Sequence, residues 1–175
     1  MAARGRFWPA LLFALLCAIP SARAGAAAPN FPALTGRVVD QANIISSTER
    51  ADLQGKSRAL EDTSGIQFVV ASVSSLEGEA IEPYATALFD TWGLGDAKKN
   101  NGVLLLVAPK EHRVRIEVGY GLGGALTDTK AKTIIETAIA PRFRTGDFDG
   151  GVARGVDDII TILTTDDAQT APSVK

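Results

Sequence analysis

Apolar and polar residues recur along this chain with two periods, one typical of strands and one typical of helices. Short apolar or alternating runs are typical of β-strands. They occur at 37–40, 66–73, 102–108 and 113–118. Apolar residues spaced three and four apart are typical of helices. They occur from Ser46 to about Glu61, at 81–92, between Thr127 and Pro141, and at about 149–163.

The order of these elements indicates the fold class. A short strand, a helix, a strand, a helix, a hairpin of two strands and two further helices follow one another. Two strands joined through a helix pair in parallel by a right-handed crossover, whereas the hairpin adds an antiparallel strand. We therefore expect an α/β fold: a small mixed, mostly parallel sheet with an antiparallel hairpin, flanked by helices on both faces in a Rossmann-like sandwich.

Cap residues indicate where the helices begin. Ser46 and Glu49 have the spacing of a capping box, in which the serine hydroxyl accepts from a first-turn amide while the glutamate reaches back. Thr127 or Asp128 is suited to cap the third helix. Pro141 is expected to follow the end of that helix.

The first 24 residues have the pattern of a secretory signal peptide. Arg4 and Arg6 precede an apolar run at 7–19, which is too short to cross a bilayer, and residues 22–24 read Ala-Arg-Ala. We expect export to the periplasm or the medium. The remaining chain is expected to comprise a flexible leader at 25–32, one domain at 33–163 and a disordered polar tail at 164–175.

Composition narrows the classes of function. Hydrophobic residues make up 46% of the 175, which is enough for a core. The net charge of −2, without a run of Lys or Arg, argues against nucleic-acid binding. The only cysteine is Cys17 in the predicted signal peptide, so we expect neither disulfides nor thiolate chemistry in the mature chain. With one histidine, zinc sites built on Cys or several His are excluded.

Oxygen-bearing side chains are expected to meet at one edge of the sheet. The second helix returns the chain to the edge where the third strand begins, and the fourth strand ends at that edge. The expected group is Asp90, Asn100, Asn101, Glu117 and Asp128. Such oxygens suit Ca²⁺ or Mg²⁺. The alternative is structural: the aspartates cap helices, the asparagines form turns, and the glutamate pairs with Arg113 or Arg115.

The glycine-rich segment 119–124 has the spacing of a nucleotide motif. Gly119, Gly121 and Gly124 match a dinucleotide fingerprint, but the preceding strand belongs to a hairpin and the next helix starts about four residues too late. We therefore expect no dinucleotide and interpret the segment as a flexible loop that needs positive φ or close backbone approach. His112 is expected to be an exposed turn residue, since no Gly-x-Ser-x-Gly elbow supplies a nucleophile.

Four segments resemble the TPM domain, a family named after a thylakoid lumen protein, a photosystem II accessory protein and an acetylcholine-receptor modulator. They are VVDQANIIS (38–46), IEPYATALFDTWGLG (81–95), NNGVLLLVAPKEHRVRIEVGYGLGGALTD (100–128) and IAPRFRTGDFDGGV (139–152). The resemblance covers about residues 31–163 and implies an α/β sandwich with a divalent-metal site, calcium in some relatives. Asn100 stands where the family usually has Asp, which removes one negative ligand.

The resemblance also implies two functions. An acid phosphatase activity is proposed for the plant lumen member, which implies a phosphate ester substrate and a metal held by Asp90, Asn100, Glu117 and Asp128. Other relatives are accessory factors, which implies docking on a membrane protein complex. Many relatives continue into a transmembrane helix and a Gly-rich tail, whereas this sequence ends at Lys175 without them, so we expect a soluble protein after removal of the signal peptide.

Two aromatic residues are the candidates for contact with a partner. Trp92 and Tyr120 lie beside glycine-containing loops, and exposed aromatic side chains are enriched at interfaces. The alternative is core packing for Trp92 and loop filling for Tyr120.

Overall fold

The computed structural model describes residues 29–170, with the side chains of 29–165. Within them, four strands form one open sheet in the order β1-β2-β3-β4. They are β1 (Val38–Asp40), β2 (Gln67–Ser72), β3 (Gly102–Ala108) and β4 (Arg113–Val118). The first three are parallel, and β4 is antiparallel to β3. The expected mixed, mostly parallel sheet with an antiparallel hairpin is confirmed.

Helices cover both faces of this sheet, as expected. They are α1 (Ser47–Ser64), α2 (Ile81–Trp92), α3 (Asp128–Ile134), α4 (Ala140–Arg144) and α5 (Phe148–Thr170). A π-helical turn, Ile135–Ile139, joins α3 to α4. The buried apolar side chains of α2 belong to one cluster, and those of α1, α3 and α5 belong to another on the opposite face.

Side-chain alternation along the central strands divides the core into these two clusters. Phe68 and Val70 of β2 pack in the cluster of α1 and α5, whereas Val69 and Ala71 pack in the cluster of α2. All four are fully buried, and β3 alternates in the same way. A buried side chain the size of Val or Phe stabilises the fold by about 1.5–3 kcal/mol. Because water reaches neither face, β3 is apolar at every position that carries a side chain.

The start of α1 differs from the expected capping box. The Ser46 hydroxyl accepts from Glu49 N–H at 3.2 Å, as predicted. The Ser46 N–H donates not to Glu49 but to Asp149 Oδ1 at 2.8 Å. The cap therefore also ties α1 to the first turn of α5, 103 residues away. Burial raises the pKa of the Glu49 carboxyl, with the Asp52 charge adding to the shift.

Pro141 does not end the third helical segment. The chain stays helical through it, with the π turn Ile135–Ile139 directly before α4. Proline supplies no N–H to the carbonyl four residues earlier. A π turn is one way in which a helix accommodates such a missing bond, and such turns are frequent at functional sites.

The described chain begins within the predicted leader and ends within the predicted tail. The leader is described from residue 29, and that part packs on α2: the Phe31 ring lies 5.1 Å from the Tyr84 ring, edge to face. At the other end, α5 continues to Thr170 rather than ending near Leu163. The predicted signal peptide at 1–24 and the last five residues of the tail lie outside the described residues. None of the helices in the described part is long and apolar enough to cross a membrane.

Candidate functional site

The start of β3 and the end of β4 meet at one edge of the sheet, as their topology predicted. Gly119 N–H donates to Gly102 O at 2.8 Å, and Gly121 N–H donates to Asn100 O at 3.0 Å. Asn100 has a positive φ of 49°, a conformation that Asn tolerates better than most residues. The predicted meeting of Asn100 with the glycine segment is therefore confirmed at the level of the backbone.

Asn101 is the structural centre of this edge. Its buried amide donates to Gly65 O and accepts from Asp96 N–H, each at 2.8 Å. It thus connects the loop before β3 to the turn between α1 and β2. Hydrogen bonds from the N–H groups of Lys98 and Lys99 lower the pKa of the Asp96 carboxyl below its ordinary value. The predicted turn role of an asparagine holds for this residue.

The glycine segment forms a short turn that packs on the loop before β3. Residues 120–122 form a 3₁₀ turn, and Leu122 is buried under it. The backbone of this turn packs directly on the loop before β3, so that a Cβ on Gly119 would overlap Asn100 O and one on Gly121 would overlap Lys99 O. Gly119 and Gly121 serve close approach rather than positive φ, which is one of the two alternatives that the sequence left open.

Glu117 lies on the α2 side of the sheet and is engaged by its neighbours. It stands opposite Leu104 in the hairpin, and Leu104 belongs to the α2 cluster. Its two carboxylate oxygens accept from Arg115 Nε at 3.0 Å and from Thr86 Oγ1 at 3.2 Å. The ion pair with Arg115 is the structural role considered for this residue from the sequence.

The two aspartates lie at helix ends. Asp90 is exposed in the last turn of α2, and its carbonyl accepts from Gly93 N–H at 3.0 Å. Asp128 is exposed as the first residue of α3, where Thr127 Oγ1 provides the cap. Asp128 also lines a cavity of about 680 Å³ together with Gly119 and Tyr120.

The four predicted ligands do not form a ready metal cage. Nowhere among the side chains of 29–165 do three Asp, Glu or His residues come together as a group that could hold a metal ion. Since Ca²⁺ takes six to eight oxygens and Mg²⁺ keeps several waters, a cation at this edge would depend mainly on water and backbone carbonyls.

The two aromatic candidates have opposite environments. Trp92 is half-buried against the α2 cluster, and its indole N–H donates to Pro32 O at 2.9 Å. Its polar group is therefore already used within the chain. Tyr120 is 94% exposed at the tip of the 3₁₀ turn. Of the two aromatic residues, only Tyr120 exposes nearly its whole side chain to solvent.

Sequence reasoning missed the network around Asp40 at the end of β1. The carboxylate accepts from the N–H groups of Ile44 and Ile45, each at 3.1 Å, from Arg50 Nη2 at 2.8 Å and from the Ser72 hydroxyl. Its side chain is fully buried. The sequence signal that could have revealed this network is an Asp at the end of a strand and before a polar turn, since such residues bind nearby backbone amides.

The fold and this edge define a class of protein: a small α/β domain in which a close-packed glycine turn presents an exposed aromatic residue beside scattered carboxylates. The chain belongs to the TPM domain family, because the family model TPM_phosphatase, described as the TPM domain, matches residues 38–162. No curated protein matches the chain significantly.

Solved structures show the same fold. The chain is 32% identical to the N-terminal domain of a protein from P. gingivalis, over 75% of this chain and 84% of that one, with a TM-score of 0.71. It is 17% identical to the N-terminal domain of a Corynebacterium glutamicum protein, over 85% and 90% of the chains, with a TM-score of 0.59. The BA42 protein of the psychrophilic bacterium Bizionia argentinensis is 21% identical, over 69% and 82%, with a TM-score of 0.59.

Proposed function

We propose that this protein is an exported accessory module that docks on a membrane protein complex and assists its assembly, repair or regulation. The observation that carries the proposal is Tyr120, whose exposed fraction is 94%. Within the described residues, the other exposed large hydrophobic side chain is Leu34, at 40%. Aromatic side chains in such positions are enriched among the residues that dominate binding energy.

The turn that carries Tyr120 supports this function because it is held in place. Backbone hydrogen bonds attach it to β3, through Gly119 and Gly102, and to the loop before β3, through Gly121 and Asn100. Leu122, the last residue of the turn, is buried. A contact residue on a fixed turn loses little conformational entropy on binding. The adjoining cavity of about 680 Å³, lined by Thr127 and Asp128, offers a polar rim around the aromatic contact.

We expect Tyr120→Ala to weaken docking strongly without changing the fold. Loss of an interface anchor costs about 2 kcal/mol or more, so capture of the partner should fall roughly 30-fold. The melting temperature should stay within about 2 °C of the original, because an exposed side chain contributes little to stability. The measurement is quantitative crosslinked capture from a detergent-solubilised membrane fraction.

Leu34→Ala is the matched control, since it shortens an exposed apolar side chain elsewhere on the surface. It should leave capture unchanged. If Tyr120→Ala captures the same membrane proteins as the original chain, the docking proposal fails.

A second candidate is a metal-assisted phosphomonoesterase acting on a phosphate ester. It is favoured by the name of the family model, TPM_phosphatase, and by the cavity that Asp128 lines. We propose Ca²⁺ or Mg²⁺ as the cofactor, with Asp90, Asn100, Glu117 and Asp128 as the side-chain ligands. When bound, such a cation polarises a phosphoryl oxygen or activates water. The carboxylates of this chain would orient it, and solvent would complete its coordination.

We expect 10 mM Ca²⁺ to raise the melting temperature of the chelated protein by roughly 5–10 °C. Mass action stabilises the native state by ~2.7 kcal/mol when the concentration is 100 times the dissociation constant. We expect a dissociation constant of ~10⁻⁴ M, the weak end of calcium sites, because Asn100 carries no charge. Asn100→Asp should increase the shift and Asp128→Ala should abolish it. The measurement is a thermal melt against NaCl of matched ionic strength, followed by hydrolysis of a chromogenic phosphate ester.

Asp62 is an exposed acidic residue on α1. The control variant Asp62→Ala should retain the whole Ca²⁺-induced rise in melting temperature. If Ca²⁺ raises the melting temperature no more than NaCl of matched ionic strength does, the metal proposal is wrong. Hydrolysis that survives Glu117→Ala unchanged assigns the activity to a contaminant.

A further inference from the structure

A second cavity lies at the opposite edge of the sheet from Asn100 and the glycine segment. It measures about 440 Å³ and opens where β3 ends and β4 begins, with α4 and the first turn of α5 on its other side. Open α/β sheets commonly bind ligands at this edge, outside the carboxyl ends of their parallel strands. The volume falls within the ~300–1,000 Å³ typical of small-molecule sites.

The inner walls of this cavity are apolar. Val107 and Val114 come from the hairpin, and Phe143 and Phe148 come from the two helical segments. The two phenylalanine rings lie 4.9 Å apart and are tilted by 49°. These walls suit a flat or aliphatic hydrocarbon body, whose burial is favourable in proportion to its apolar area.

All the ionisable residues that line this cavity are basic. His112, Arg113 and Arg144 line it, and none of its lining residues is acidic. Within residues 29–165, the guanidinium groups of Arg113 and Arg144 form no ion pair or hydrogen bond. The neighbouring Arg142 is different, since Asp147 binds it at 3.0 Å. Two uncompensated guanidinium groups at one cavity form a recognition pattern for a carboxylate or a phosphate.

Two unusual backbone features border this cavity. His112 has a positive φ of 54° in the hairpin turn, and the π turn Ile135–Ile139 directly precedes the α4 residues that line the cavity. Left-handed non-glycine residues and π turns both occur preferentially at functional sites. They border the same cavity although they lie on separate segments of the chain.

We infer that this cavity is a binding site for a small amphipathic organic anion. Arg113, Arg144 and His112 bind the carboxylate or phosphate group, while the apolar body lies against Phe143 and Phe148. The inference is independent of the functions proposed above, because the site lies at the other edge of the sheet and uses none of their residues.

The test is NMR titration of the ¹⁵N-labelled protein with four probes. Two are amphipathic anions, 2-naphthoate and 2-naphthyl phosphate, which distinguish the two head groups. The others are 2-naphthylmethanol, which lacks the charge, and inorganic phosphate, which lacks the apolar body. We expect at least one amphipathic anion to bind with a dissociation constant below about 1 mM, with amide shifts concentrated at 107–114 and 140–148. Both partial probes should bind at least tenfold more weakly.

The double variant Arg113→Gln/Arg144→Gln should weaken binding at least tenfold while its amide spectrum stays that of the folded protein, since both side chains are exposed. Arg58→Gln, which changes an exposed and likewise unpaired arginine on α1, should bind as the original does. The site is refuted if neither anion binds, if the neutral alcohol binds equally well, if the shifts fall elsewhere, or if the double variant binds normally.

Discussion

Replacing Gly121 by alanine is expected to destabilise the protein by about 3 kcal/mol, as overpacking against backbone does when neither side can move. The added Cβ would overlap the Lys99 carbonyl oxygen, and the equivalent atom at Gly119 would overlap that of Asn100. Both neighbours are backbone atoms of a loop that Asn101 and Asp96 already bind. The melting temperature should therefore fall by roughly 6–12 °C.

Gly124→Ala is the matched control in the same segment. No atom lies within 4 Å of a Cβ built there, and its stability change should be within about 0.5 kcal/mol. The measurement is a thermal melt of the Gly119→Ala, Gly121→Ala and Gly124→Ala variants. Equal melting temperatures for Gly121→Ala and Gly124→Ala would mean that the turn moves freely, and the fixed presentation of Tyr120 would then be wrong.

Replacing Asp40 by alanine should cost about 3–4 kcal/mol, because it removes the acceptor of several donors at once. The N–H groups of Ile44 and Ile45 would lose their partner, as would the Ser72 hydroxyl and Arg50. The Asp40 side chain is fully buried, so water is excluded from the vacated position unless the loop opens. Urea unfolding should show a lower midpoint with an unchanged slope.

Asp52→Ala is the comparison for a surface carboxylate. Asp52 pairs with Lys56 on α1 at 2.9 Å and its side chain is 55% exposed. Removing such a pair should cost less than about 1 kcal/mol. Asp40→Asn, which keeps one acceptor oxygen, should fall between the two. If Asp40→Ala lost no more stability than Asp52→Ala, the buried network would not hold the loop after β1.

The sequence alone determined the elements and the class of fold. The apolar run at 102–108 became β3 with the same bounds, and the helical pattern at 81–92 became α2 with the same bounds. This succeeds because hydrophobic periodicity is a direct consequence of which faces are buried. The meeting of Asn100 with the glycine segment followed as well, since strand direction alone places both at one edge of the sheet.

Only the tertiary structure decided which side chains meet. Glu117 accepts a hydrogen bond from Thr86, which lies on a helix 31 residues earlier in the chain. Ser46 donates a hydrogen bond to Asp149, 103 residues later in the chain. The basic cavity likewise joins Arg113 and Arg144, which share no motif. Such pairs depend on how helices pack on the sheet, which is set by the combined shape of many side chains rather than by local spacing. A periodic pattern determines the face on which a residue lies, but packing determines its neighbour.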